Sequence, residues 1–461
     1  MFKFFSALLV LLTFVQCRRI DPAIPEQKVA FIPTLIQEQS TVYVPIKINL
    51  LPYLKDTEKS LPKSFTGKED NCSGVSYSYE FNRNPIQFDC KGKELYYEVD
   101  GKYSLKLNYC PECTYLFKEK GSCIVPRIYV SCGIGEEMRR VTVGYATQFK
   151  ITPDFRFKTT TVLRKFETID PCEISVFNYD ATKKLREELT VELKELEKVI
   201  DKEIASIDIR SEMEEVWKVM SAQTSLGRYG YLSISPKAIS LSDIRFRNNT
   251  AFLDLNLTIQ PIITTFPSEN PTVKLPKLSD HQIAKGFDIN LDIVASYDSL
   301  SAILSENLAG KSVEIKNNEV IFGKMSVEGA LNDQLILKVA FSGKRQGELY
   351  FIGTPKFDAE KQEISFPDLV FDLRTKNVLL KSAKWLFNSK ITDMLRLNAH
   401  YDLKPQLDEM KKIVQKEMNR EIEKGVTLSG RVESISLLGI YPGFSSLTIR
   451  VNSEGELSLS M

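Results

Sequence analysis

The chain has 461 residues, a formal net charge of +1 and 26% charged residues, with no long basic run. That balance argues against a nucleic-acid partner, because a counterion-releasing site needs clustered Lys and Arg. The length predicts more than one hydrophobic core. With only two histidines, His281 and His400, most triad, zinc-hydrolase and proton-relay schemes lack their general base.

At the N-terminus, Lys3 and the apolar run Phe4 to Val15 lead to Gln16-Cys17, a secretory signal by length and flanks. The run is shorter than the ~20 apolar residues that span a bilayer. It ends at a cysteine, as a lipoprotein signal does, so residues 1–17 are expected to be a signal whose Cys17 carries lipid. Gln16 stands where a small residue is usual, and an ordinary cleaved signal is the other reading. Arg18-Arg19-Ile20 carry no acidic cluster, which points to the outer membrane and its periplasmic side. Residues 18–40 hold three prolines and little periodic pattern, and read as a tether.

The first patterned element is a half-buried strand, Val42, Val44, Ile46, Ile48 and Leu50 alternating with polar positions. It runs through Leu51-Pro52-Tyr53-Leu54 into a short helix ending near Lys63. Seven cysteines follow: Cys72, Cys90, Cys110, Cys113, Cys123, Cys132 and Cys172. In an exported chain they read as disulfides stapling an irregular insertion, with one thiol left over and Cys72 to Cys90 as one candidate loop closure. The other reading is a zinc knot on Cys110, Cys113, Cys123 and Cys132, whose spacing approaches a zinc ribbon. Tyr179-Asp180 then opens a long charged helix with an apolar stripe at Leu185, Leu189, Leu193, Leu196, Ile200, Ile204 and Ile207. Strand patterns follow at Ala238 to Ile244 and at Leu253, Leu255, Leu257 and Ile259.

Pro, Asn and Ser between residues 266 and 285 read as a linker. Beyond it the order repeats. Ile289, Leu291 and Ile293 alternate and lead through Tyr297 and Leu300 into a short helix ending near Lys311. Strands at Leu335 to Phe341 and from Ile364 across Pro367 to Phe371 come next, and Arg374 to His400 carries a helical pattern. Tyr401-Asp402 opens a second long helix, with Leu407, Met410, Val414, Met418 and Ile422 on one face and Gly425 stopping it. Ser434 to Ile440 matches Ala238 to Ile244. Three matches in one order point to a duplication, with units at 41–265 and 286–461.

The expected fold is therefore α+β: tandem units, each a strongly curved antiparallel sheet wrapped around a long amphipathic helix. The space between sheet and helix is either an apolar groove or a core filled by side chains. Leu189, Leu193, Leu196 and Ile200 would line the first groove, and Met410, Val414 and Met418 the second. No nucleophile elbow, phosphate loop or dinucleotide fingerprint is present. Gly133-Ile134-Gly135 lacks the strand-to-helix context such a loop needs. No enzyme activity, cofactor or metal is expected.

The Gly347-Glu348-Leu349-Tyr350-Phe351-Ile352-Gly353-Thr354-Pro355 block, Phe366-Pro367-Asp368, Ala383-Lys384-Trp385-Leu386, Ser131-Cys132-Gly133 and the Pro171-Cys172 to Tyr179-Asp180 stretch resemble the bacterial domain of unknown function 4403 family. The resemblance implies an envelope lipoprotein and a Cys132 to Cys172 disulfide. It also implies a likeness to tubular lipid-binding proteins. Cys72, Cys90, Cys110, Cys113 and Cys123 depart from the family's pattern. The function expected on both grounds is binding or shuttling of a lipid or other apolar ligand on a membrane-anchored body. The alternative is a rigid interaction or scaffold module of an envelope complex with no ligand.

Overall fold

The computed structural model describes residues 36–70, 72–114, 122–174, 179–180, 182–227, 230–267, 273–280, 284–315, 318–343, 346–372 and 400–461, with Arg19–Ile20 as a short strand. The expected helix at Arg374 to His400 lies outside these residues, apart from His400 itself, which is in a strand. The fold is mostly β, with five helices among the described residues and no closed barrel.

The alternation around Val42 forms strand β1 (Ser40–Asn49), in which Val42 and Val44 are buried and Thr41 and Lys47 face solvent. Helix α1 (Leu51–Ser60) begins directly after it, with proline in its first turn, where a missing N–H costs nothing. The cysteine region is not an irregular insertion. It is a regular antiparallel sheet of β2 (Gly74–Arg83), β3 (Glu94–Cys110), β4 (Ile128–Cys132), β5 (Arg139–Ile151) and β6 (Phe157–Thr168). Its centre is the 17-residue β3, which pairs with β2 on one side and with β4 and β5 on the other. The turn between β5 and β6 holds Phe155 at φ 59°, a left-handed conformation stabilised by complete burial of its ring.

Helix α2 (Thr182–Ala205) follows, and it covers the free edge of β6. The Glu197 carboxylate accepts the Leu163 backbone N–H at 2.7 Å, and Asp201 accepts the Thr161 N–H at 3.3 Å. Unpaired edge amides are a liability in any sheet, and here two side chains one helical turn apart satisfy them. Helix α3 (Arg210–Ser221) buries Trp217 against Phe155, Ile239 and Leu275. Leu275 and Leu278 lie in the stretch expected to be a linker. They pack onto this cluster, and the Leu278 N–H donates to the Pro153 carbonyl at 2.9 Å.

Strands β7 (Thr250–Ile259), β8 (Ile262–Thr264) and β9 (Phe287–Ser296) come next, then helix α4 (Tyr297–Leu308), capped by the Ser296 side chain. A second sheet carries β10 (Asn318–Gly329), β11 (Leu335–Gly343) and β12 (Gln346–Gly353). Arg19–Ile20 pairs in parallel with β12 at Gln346 and Gly347, within the segment expected to be a tether. The expected strand across Pro367 is broken: Glu363–Ser365 pairs in a small sheet of its own, and Val370–Asp372 joins β12. Proline supplies no ladder N–H, so the chain changes partners there.

Helix α5 (Lys404–Glu417) is shorter than the sequence pattern suggests. Asn419 ends it by bonding the Gln415 carbonyl at 2.7 Å and the Gly430 carbonyl at 2.8 Å. Ile422 lies instead in a strand, Arg420–Glu423. Gly425, at φ 82°, turns that strand into β13 (Val426–Pro442) and does not cap the helix. The chain closes on β14 (Ser446–Ser460).

The largest sheet has 18 strands among the described residues, and its middle joins the two ends of the chain. There β1 pairs antiparallel with β7 from Thr250↔Asn49 to Ile259↔Ser40, and β9 pairs antiparallel with β14 from Phe287↔Gly455 to Ser296↔Ser446. β1 and β9 meet at Val42↔Phe287, while β8 runs parallel to β9 and β1 parallel to β14. Val42, Val44, Ile259, Phe287 and Val432 form the core under this junction. Gly455 is required there, because a Cβ would overlap the Arg431 carbonyl and the Phe287 ring.

Candidate functional site

The seven side chains expected to line grooves lie on α2 and at the end of α5. On α2, Leu185 is buried and Leu189 packs beside it on the β3–β5 cluster of Tyr103, Leu105, Val141 and the Cys132–Cys172 pair. Leu193 and Ile200 are half-buried, and Leu196 is 45% exposed, on the open side of the helix. On α5, Met410, Val414 and Met418 are half-buried, with Val414 and Met418 against the central core. Met418 lies just past the last helical residue. None of the seven is buried.

Beneath the second half of α2 the sheet is hydroxyl-lined, a feature that the apolar stripe does not reveal. Thr147 and Thr161 are buried and share a hydrogen bond of 2.8 Å. Thr159 and Thr161 donate to the Asp201 carboxylate at 2.8 and 2.7 Å. Tyr97 joins Thr147 at 3.2 Å, and the Tyr145 hydroxyl donates to the Leu193 carbonyl at 3.0 Å. Burial pushes the Tyr145 phenol well above its ordinary value, so it remains a donor. The sequence signal was available in Thr159 and Thr161, which alternate on the inward face of a strand. The site under α2 is thus apolar at the Leu185 end and polar at the Asp201 end.

Among the described residues three buried polar atoms have no hydrogen-bond partner: Tyr103 Oη, Arg139 Nε and Trp217 Nε1. The first two belong to the apolar end of the α2 site. Two of the concave surfaces among the described residues lie elsewhere. One, of about 360 Å³, is lined by Leu51, Leu54, Lys55, Glu58, Lys59, Ile86, Phe88 and Asn249. The other, of about 570 Å³, is lined by Ser211, Glu212, Glu214, Glu215 and Lys218. Neither includes any of the seven expected residues.

Three disulfides are present among the described residues. Cys132 pairs with Cys172 across a Cα separation of 5.5 Å, as the family resemblance implies. Cys72 and Cys90 are not partners: the Gly74↔Cys110 register carries Cys72 to the tip of the sheet, where it pairs with Cys113, and Cys110 pairs with Cys123. Cys90 is the free thiol among the described residues, buried against Phe246 and Ala251, and burial raises its pKa. This pairing displaces the zinc reading, since Cys132 bonds away from the other three candidates. Among the described residues no set of three or more His, Cys, Asp or Glu is arranged to hold a metal. His400 pairs with the Glu363 carboxylate in an exposed position, and His281 lies outside the described residues. No helix among the described residues is long and apolar enough to cross a membrane. Cys17 lies outside the described residues.

These features define a mostly β, disulfide-stapled chain whose amphipathic helices pack on its sheets. The chain belongs to the family of the domain of unknown function DUF4403, whose model matches residues 38–461. No curated protein matches it. Among solved structures it is similar to the crystal structure of lipopolysaccharide binding protein, at 11% identity over 92% of this chain and 99% of that one, with a TM-score of 0.26. It is also similar to P47 of Clostridium botulinum E1, at 8% identity over 90% and 98% with a TM-score of 0.20. P47 from Clostridium botulinum A2 gives 7% identity over 91% and 97%, with a TM-score of 0.21.

Proposed function

We propose that this chain is an envelope lipoprotein that holds or shuttles a lipid or another apolar ligand between its curved sheets and long helices, without covalent chemistry. The observation that carries the reading is the state of the two helix stripes. Of the seven large apolar side chains on the stripes none is buried, and Leu196 is turned to the open side of its helix, although full burial of each would contribute about 1.5–3 kcal/mol. An alkyl chain lying along them would complete that burial. The same reading takes the chain as two tandem copies of one sheet-and-helix unit. Pairing supports this: β1 is antiparallel to β7 as β9 is to β14, while β1 also runs parallel to β14 and β9 parallel to β8. Cys17 is the proposed lipid attachment, and it places the body beside the outer membrane facing the periplasm.

Native mass spectrometry and lipid extraction of protein purified without detergent test the proposal. Co-purified lipid, or saturable uptake of a fluorescent fatty acid, is the expected result, and a clean blank in both assays overturns it. Membrane fractionation of Cys17→Ser tests the anchor, with release to the soluble periplasmic fraction expected. A ligand-free scaffold is the second reading. It is favoured by the two concave surfaces lying away from both helix stripes, and a stable co-purifying envelope protein in place of lipid would establish it.

A further inference from the structure

The segment between the proposed lipid attachment and β1 is fastened to the body at both of its ends, which a free tether would not be. At its start, Arg19–Ile20 adds a parallel strand to β12, with Arg19 opposite Gln346 and Ile20 opposite Gly347. At its close, Arg450 donates to the Ile36 carbonyl at 2.9 Å and to Glu38 at 3.0 Å. Beside it the Gln37 side chain donates to the Pro261 carbonyl at 3.1 Å, and the Gln260 side chain donates to the Gln37 carbonyl at 3.2 Å. Only residues 21–35 separate the two attachments.

The parallel sense fixes the end of the sheet at which Arg19 sits. Parallel partners begin at the same end, so Arg19 marks the end where β12 begins. That end also carries Ser342 and Gly343, the last residues of β11, because Phe341 lies opposite Gly347. It carries the start of β10 as well, because Val320 lies opposite Gly343. Gly329, Leu335 and Gly353 share one register at the other end. From Leu335 to Ser342 is about 23 Å at ~3.3 Å per residue. Consecutive Cα atoms are about 3.8 Å apart, so Cys17 lies within about 8 Å of Arg19 whatever the conformation of Arg18.

The geometry points to a fixed orientation on the membrane: the end of the second sheet that carries Ser342 and Gln346 lies against the bilayer, held there by Arg19–Ile20 as a docking strand. This rests on the reading of Cys17 as the lipid attachment and holds whether or not an apolar ligand is bound. The leash is then Cys17 and Arg18 alone, not residues 18–40. Strand addition gives the edge of β12 main-chain partners, the means by which extended segments bind sheet edges generally. Arg18 and Arg19 add positive charge beside the acyl chains, the sign that anionic head groups attract.

The test uses the full lipidated chain in phosphatidylethanolamine–phosphatidylglycerol vesicles, with a fluorophore on Ser342→Cys or on Asn332→Cys and a quencher on the lipid head groups. Both positions are exposed, Asn332 in the turn at the opposite end of β11, and the buried Cys90 does not compete for the label. The Ser342 label is expected to be quenched severalfold more than the Asn332 label. A flexible insert of about ten residues, with a root-mean-square reach of about 17 Å, should lower the Ser342 quenching when placed between Arg18 and Arg19. The same insert between Pro25 and Glu26 should leave it unchanged. In the Cys17→Ser chain, which needs no membrane, Arg19→Cys with Gln346→Cys should form a disulfide on oxidation, and Arg19→Cys with Asn332→Cys should not. Equal quenching of the two labels, or inserts that act alike, would overturn the orientation. Failure of the Arg19–Gln346 disulfide would overturn the docking strand and leave the lipid anchor intact. An unacylated Cys17 by mass spectrometry would overturn the anchor, and the orientation with it, even where the disulfide forms.

Discussion

Replacing Asp292 with Asn tests how the centre of the molecule is held. Arg450 on β14 and Asp292 on β9 are 4% and 5% exposed, and the guanidinium grips the carboxylate through Nε at 2.7 Å and Nη2 at 2.9 Å. The same guanidinium donates to Glu38 at 3.0 Å and to the Ile36 carbonyl at 2.9 Å, so it also fastens the residues leading into β1. Asp292→Asn leaves a buried cation with only the exposed Glu38 as counter-charge. Breaking a buried pair from one side costs about 3–5 kcal/mol, and the surviving Glu38 contact places this case near the lower figure. Unfolding entropy of about 2.1 cal/mol/K per residue over 461 residues gives about 1 kcal/mol/K, so the melting temperature should fall by about 3 °C. Asp292→Leu with Arg450→Met removes both charges and should melt within about 1 °C of wild type. Glu38→Gln, at the solvent end of the network, should shift it by less than that. Circular dichroism melts of the four proteins give the answer. An Asp292→Asn protein that melts with wild type, or a double variant as weak as the single, would refute the argument.

Without reductant, denatured protein should alkylate at a single cysteine between residues 72 and 172; folded protein should resist even that, because the free Cys90 thiol is buried and its pKa raised. Cys132→Ser with Cys172→Ser opens a loop of sequence separation 40 and should cost about 4 kcal/mol on the chain-entropy model, read as a lower denaturant midpoint. Burial works to raise the Glu58 pKa, but the Ile86 N–H and the Arg83 guanidinium outweigh it and hold the carboxyl below its ordinary range. The stabilisation from this pair is therefore present above the ordinary carboxylate pKa and lost as pH falls through the lowered one. On acidification wild type should lose more melting temperature than Glu58→Gln, and parallel curves would refute the coupling. Leu196→Ser should change stability by less than about 0.5 kcal/mol yet weaken acyl-chain uptake, whereas Leu189→Ser should lower both.

The strands were legible where one face meets a core and the other water. Val42 to Ile48 and Leu253 to Ile259 show that period and are strands; Ile289 to Ile293 is a strand too, although its other face buries Asp292. What sequence does not encode locally is lateral neighbourhood. Cys72 and Cys90 are close along the chain, yet register carries Cys72 to Cys113 and points Cys90 into the core around Phe246. Tyr103 and Arg139 lie far apart along the chain and meet only because β3 and β5 are aligned by the whole sheet. The helix at Met410 to Ile422 was legible in its apolar stripe and misread in its end, because Asn419 competes for the backbone through its side chain, an effect that hydrophobic period does not sense.

Helix α2 shows how a correct stripe can still misplace a residue. At about 100° per residue, and with Leu185 at zero, Leu189 falls near 40°, Leu196 near 20° and Ile200 near 60°, so all four read as one face. Glu197 and Asp201 fall near 120° and 160° on the same count, and they are the side chains that bind the β6 edge amides. The line of contact therefore drifts around the helix, from the Leu185 side at its start to the carboxylate side at its end. That is what a straight helix does when it crosses a twisted sheet and finishes along its edge. Leu196 is exposed because the drift has already carried the contact past it. The two carboxylates are fixed in strong backbone bonds, so the helix cannot roll to bury Leu196 without exposing the amides of Thr161 and Leu163. The side of α2 left open is the Leu196 side.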